Sequence, residues 1–304
     1  MARIPSELSA LAQQISQFKT QTLSDLNGSR ASGASAFDLN QLAAGYLAGN
    51  LSNTQSAGNT SASTAISSIA GLSPTGRNLA LPDPESAYRM MSHINQLAVQ
   101  YPAQSSRLST MQEGVSQLTK PADRLASLSP AADLATVQQS LQALVDQYNQ
   151  WRFDFNADLQ DPELLAGTQA AQVARYELAQ SIASPFHGSE QGIQGMAVLG
   201  LTIDPVSQTA KLDPAQLAAQ WQRQPEAAMA AINQFGAHFS RSASLLTERD
   251  NFFAKQQANL GRVIEYMQQN LPQLQQEFGL GDPAQPSPSV ARAYADYQRR
   301  HAAV

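Results

Sequence analysis

The chain has 304 residues, a formal net charge of −5 and no cysteine, which removes disulfides, thiolate metal sites and cysteine nucleophiles together. Charged residues make up 14% of it, well below the usual fraction of about a quarter. No run of Lys or Arg exceeds Arg299-Arg300, so neither a phosphate-neutralising nucleic-acid face nor attraction to an anionic membrane surface is expected.

No apolar run approaches the ~18 residues of a spanning helix, so no membrane insertion is predicted. Met1–Leu26 shows no basic-then-apolar leader, so export, if it occurs, is expected without a cleaved signal peptide.

In chain order, Pro5-Ser6 opens a helix whose apolar positions Leu8, Leu11, Ile15 and Phe18 follow a 3-4-3 seam, fading at the turn signal Asn27-Gly28. Residues 1–30 are read as an N-terminal coiled-coil leg. Residues 31–82 read as a low-complexity flexible segment. Asp38 is the sole charge between Ala31 and Gly76, Phe37–Leu47 forms a short helix and Ser52–Ser68 a linker.

Residues 83–224 form a helical domain. Asp83-Pro84-Glu85 starts a helix that Pro102 ends, and a second helix through Leu108, Met111, Val115 and Leu118 ends before Pro121. The strongest helix spans about Pro130 to Leu159, with Leu134, Val137, Leu141, Leu144, Tyr148, Trp151 and Phe155 alternating at 3-4 spacing. Pro162 opens the next, carrying Leu165, Val173 and Ile182 as far as Pro185. A glycine-rich loop, His187–Gly195, follows.

The β-branched run Val198–Ile203, the polar turn from Asp204-Pro205 and the short run Ala210–Leu212 predict a β-hairpin near residues 196–212. Asp213-Pro214 and then Pro225 open helices. Residues 225–278 read as one C-terminal coiled-coil helix. Phe239, Leu246, Phe253, Leu260 and Met267 repeat every seven, Ala243, Ile264 and Leu271 share the second seam, and Pro272 kinks or restarts it. Residues 279–304 are linker and tail, with a short helix over Val290–His301. The expected fold class is mainly α: an elongated helical bundle or coiled coil with one small hairpin.

Reactive chemistry is sparse. None of His93, His187, His238 and His301 stands four residues from another, so each reads as a surface or helix-face histidine. No G-x-S-x-G elbow is present, and Gly188, Gly192 and Gly195 fit neither a Rossmann nor a P-loop pattern. Asp158 and Asp161 read as cap and solvated surface, and Trp151 and Trp221 as packing residues. The chain is therefore expected not to be an enzyme, with no catalytic, cofactor or metal residue assigned. A hydrolase built on His187 is the minor enzymatic reading. The helical seams are compatible with a bundle within one chain or with an oligomer.

Three segments resemble, in order, the flagellar filament-capping family (hook-associated protein 2, FliD). Ser32–Leu42 is similar to its glycine/serine lead into "LD-x-x-x-L". Leu144-Val145-Asp146-Gln147-Tyr148-Asn149 resembles its "FV-x-x-YN" helix, followed by Leu164-Leu165-Ala166-Gly167. Leu199-Gly200-Leu201 with Lys211-Leu212-Asp213 matches its hairpin, with Gln208-Thr209 where the family has a turn glycine. The β-rich domains usual in the family are absent from the interval after the first motif.

The resemblance implies a structural, non-enzymatic flagellar axial protein, extracellular, without cofactor, that oligomerises through helices and assists flagellin assembly. The implied seam contacts are Leu8, Leu11, Ile15 and Phe18 on one leg, with Phe253, Leu260, Ile264 and Met267 on the other. The implied partners are flagellin, hook-associated proteins, further copies of itself and an export chaperone. The alternative is a cytoplasmic helical chaperone or adaptor of flagellar or type III export.

Overall fold

The computed structural model describes residues 71–188 and 192–301. They belong to one unit of the chain, Ala62–Val304. The leg helix with Leu8, Leu11, Ile15 and Phe18, and the motif at residues 32–42, lie outside the described residues.

The fold is mainly α, with one two-stranded antiparallel hairpin among the described residues. The first helix, α1, runs Pro84–Gln117. Asp83 caps it by accepting from the Ser86 N–H, and Pro84 takes the first turn, where no intrahelical donor is needed. Contrary to expectation, Pro102 does not end it. Ala87, Met91, Ile94 and Leu97 before the proline, and Ala103, Leu108, Met111 and Val115 after it, are all buried. That continuous apolar face outweighs the ~3 kcal/mol cost of an internal proline.

A second helix, α2 (Thr119–Ala126), follows at once. The preceding helix ends before Pro121, at Gln117, and Pro121 itself sits in the first turn of α2. Next, α3 spans Leu134–Asn156, starting later than Pro130 because Asp133 is the residue that caps it, accepting from the Thr136 N–H. It buries Val137, Leu141, Leu144, Tyr148, Trp151 and Phe155 as the spacing predicts.

Residues 162–167, beginning at Pro162, form turns, and α4 begins only at Gln169, ending at Ala183. Within those turns Leu165 N–H donates to the Asp158 carbonyl and Ala166 N–H to that of Asp161, a closure incompatible with a helix opened at Pro162.

Met196–Leu199 is a 3-10 turn rather than strand, ended by Gly200 at φ 84°, so the hairpin is shorter than its apolar run. Strand β1 is Leu201–Ile203 and β2 Ala210–Leu212, pairing Leu201 with Leu212, Thr202 with Lys211 and Ile203 with Ala210. Asp213 caps α5 (Pro214–Arg223) by accepting from the Ala215 and Gln216 N–H groups.

The expected helix over 225–278 is two helices, α6 (Pro225–Thr247) and α7 (Phe252–Phe278). Between them Glu248 is extended, and Asn251 starts α7 by accepting from the Phe252 N–H. The wholly polar stretch Thr247–Asn251 has no side chain to bury, while the seven-residue spacing continues across it. Pro272 lies within α7, which runs on to Phe278 without a restart. The last helix, α8, spans Pro288–His301.

Both α7 and α8 pack on α1, and α2 packs on α6. The α2–α6 approach is close enough that a Cβ on Gly236 would stand 2.5 Å from the Ala126 backbone nitrogen.

Two segments read as flexible are fastened. In the first, residues 71–82, Leu72 bridges Asn78 and Arg77 bridges Gly279. In the second, the stretch after Phe278, Leu280 N–H donates to the Gly76 carbonyl. Asn95 Nδ2 donates to the carbonyls of Leu280 and Asp282, and Tyr88 donates to the Asp282 carboxylate. The polar residues that suggested linkers are partners for the exposed flank of α1.

Candidate functional site

The hairpin and α3 form one unit. Tyr148 and Asn149 occupy consecutive positions on α3, and both reach the hairpin. The Tyr148 hydroxyl donates to the Gln208 carbonyl at 3.1 Å. Asn149 Nδ2 donates to the Ala210 carbonyl at 2.9 Å, and its Oδ1 accepts from the Ala210 N–H at 2.8 Å. A single carboxamide thus satisfies the outer backbone edge of β2, the role a third strand would otherwise play. Burial pushes the Tyr148 phenol up to about 12, so it remains a donor at neutral pH.

The hairpin turn is organised by Asp204. Its Oδ1 accepts from the Val206 and Ser207 N–H groups at 3.0 and 2.9 Å, and its Oδ2 from Lys211 Nζ at 2.9 Å. These bonds, the Ser207 N–H foremost, hold its carboxyl far below the usual carboxylate range. Gln208 has φ 58°, the one positive φ of a non-glycine residue among those described. The backbone here takes the left-handed conformation that glycine adopts freely, at the place where the resemblance leads one to expect glycine.

The C-terminal seam residues are placed inside the chain. Phe253, Leu260 and Ile264 belong to the common hydrophobic core, and Met267 is also buried. These four pack within one chain, the intramolecular option of the two that the seams allowed. Beside them a groove of about 580 Å³ opens among α1, α7 and α8, with Ala98, Pro102, Ile264, Met267, Leu271, Tyr294 and Tyr297 on its walls.

His93, His238 and His301 are exposed. His187 is not a surface residue: it is 4% exposed, with its ring 5.4 Å from that of Phe235 and 4.9 Å from that of His238. Its Nε2 lies 3.0 Å from the Ser181 carbonyl, and because a carbonyl only accepts, Nε2 carries the proton. Burial lowers its pKa from 6.5, and the neighbouring His238 acts in the same direction. The turn that follows α4 sets His187 against His238 on α6, which sequence spacing did not foreshadow.

Ser181 Oγ lies 3.2 Å from His238 Nδ1, but Ser181 is 4% exposed, and among the described residues no carboxylate bonds either histidine. An activated nucleophile needs both access and an oriented base. Asp158, read as solvated, is instead buried and ion-paired with Arg107, whose Nε donates to its Oδ2 at 2.6 Å. The pair fastens the end of α3 to α1. Asp161 accepts from the Glu163 N–H and the Ser289 hydroxyl.

Among the described residues no group of three or more His, Asp or Glu is placed to hold a metal ion. Nor is any of their helices long and apolar enough to cross a membrane. Comparison of the chain with protein-family models, with curated proteins and with solved structures finds no match.

Proposed function

We propose that the protein is a structural, non-enzymatic flagellar axial protein resembling the filament cap, acting outside the cell on flagellin assembly. The observation that carries this reading is the junction of Tyr148-Asn149 with the hairpin at Gln208 and Ala210. Two of the segments behind the resemblance, about sixty residues apart in sequence, are partners in space. The left-handed Gln208 at the family's glycine position adds support.

In this reading the partners are flagellin, hook-associated proteins and further copies of the chain, with an export chaperone before secretion. Deleting the gene tests it. The expected outcome is unpolymerised flagellin in the medium and short filaments, with the protein recovered from sheared wild-type filaments. Full-length filaments in the deletion strain, and no protein in the sheared fraction, would sink the idea.

A second reading, a cytoplasmic helical chaperone or adaptor of export, is favoured by one observation. Phe253, Leu260, Ile264 and Met267 are already covered by the chain's own helices, which leaves the C-terminal leg without a free seam. Cell fractionation separates the two: filament or medium for the first, cytosol alone for the second.

A further inference from the structure

His187 is a titratable side chain enclosed in the fold that the proposed function leaves unused. It belongs to the turn of residues 185–188, and that turn lies flush against α6. A Cβ on Gly188 would stand 2.4 Å from the Cβ of Ala231, and the Gly188 N–H donates to Gln234 Oε1 at 2.6 Å. The His187 ring meets that of Phe235 edge-on. Phe186 beside it is 75% exposed, so the turn has one face in the core and one in solvent. The Gly195 N–H closes back on the His187 carbonyl at 2.9 Å.

Ser181 ties the two imidazoles together. Its carbonyl accepts from His187 Nε2, and its Oγ lies 3.2 Å from His238 Nδ1. With Nε2 already protonated, a second proton on His187 goes to Nδ1, and the result is an enclosed cation. Among the described residues, the elements around the ring offer it no anion. From α4 it meets Ser181 and from α6 His238, while Glu177 on α4 and Arg241 on α6 are exposed and bond neither ring. The 3-10 turn Met196–Leu199, packed on both helices, carries no titratable side chain. His238 reaches solvent, so in acid two like charges stand with their rings 4.9 Å apart.

We propose that His187 and His238 form an acid-sensitive latch. Neutral, the pair seals the turn of residues 185–188 onto α6; protonated, it expels His187 and frees the turn while α4 and α6 stay folded. On leaving, the turn uncovers Phe235 and Ala231, both buried beneath it at neutral pH. The proposal is independent of the flagellar reading, because it rests on the enclosed imidazole pair and not on the resemblance.

The test is amide hydrogen exchange of the full chain, read by NMR from about pH 7.5 to about pH 5 and expressed as protection relative to the unfolded chain at each pH. In the wild type, Gly188 and Gly195 are expected to lose about tenfold or more in protection as pH falls, with Leu178 on α4 and Phe239 on α6 unchanged. His187→Gln keeps a donor for the Ser181 carbonyl and does not titrate, so its protection at both glycines should be flat with pH. His238→Gln, a change at an exposed site, removes the second charge and should move the loss to lower pH.

Constant protection of Gly188 and Gly195 in the wild type would overturn the proposal. So would an equal loss in His187→Gln or an unmoved transition in His238→Gln. Loss at Leu178 and Phe239 at the same pH would overturn it too, since the helices would then be opening with the turn.

Discussion

Asn149 closes an edge that nothing else in the hairpin can close. A strand of three residues has few backbone bonds, so losing the two made by one carboxamide removes a large share of what positions it. Asn149→Ala leaves the Ala210 N–H and carbonyl without partners and is expected to cost about 2 kcal/mol, read as a lower urea midpoint. Asn149→Asp keeps the acceptor for the N–H but sets a second oxygen against the Ala210 carbonyl. It should cost at least as much at neutral pH, and part of that loss should return in acid as the carboxyl gains a proton. Equal stability of wild type and both variants would mean that the hairpin holds itself. Neither partner choice can be read from the sequence, since Asn149 and Ala210 become neighbours only when α3 and the hairpin pack.

At the scale of elements, the contact of α4 with α6 is where acidity should be felt. His187 is neutral in the fold because burial, with His238 beside it, penalises its charged form. The unfolded chain therefore binds the proton more readily. Stability is complete above the unfolded value of 6.5 and declines as pH falls below it, until the lowered folded value is reached. His187→Gln should flatten that decline in a series of Tm measurements across this range, and an unchanged profile would show that other groups cause it. The sequence made the elements themselves legible wherever the signal was local. Asp83, Asp213 and Pro225 mark helix starts as read, and the 3-4 spacing from Val137 to Phe155 is the buried face of α3. It misled where tertiary contacts decide. Pro102 is carried through α1 by burial on both sides, and the heptad count crosses the break at Glu248 because spacing alone carries no record of a polar interruption. His187 was missed for the same reason: burial of a polar side chain depends on neighbours supplied from distant parts of the chain.

For the whole molecule, the later helices are integral to the core. Val290 and Ala293 on α8 are buried, and Tyr294 and Tyr297 pack against the same core. Truncation after Phe278 removes these groups together with the bonds from residues 280–285 to α1. It is expected to lower unfolding stability by about 3 kcal/mol or more, measured by urea denaturation. A truncated chain as stable as the full one would show that α8 merely rests on the surface.

The fastening of the chain's late residues onto α1 also fixes a sequence of events in time. Asn78 bonds the Glu277 carbonyl across 199 positions, and Met91 lies directly against Gly281. Early helices can form as they emerge, but the face of α1 that α7 and α8 cover has no partner until they arrive. In a chain released from its N-terminus first, by a ribosome or through a narrow conduit, that face of α1 is expected to stay uncovered until residues 252–301 emerge, while α2 can already pack on α6.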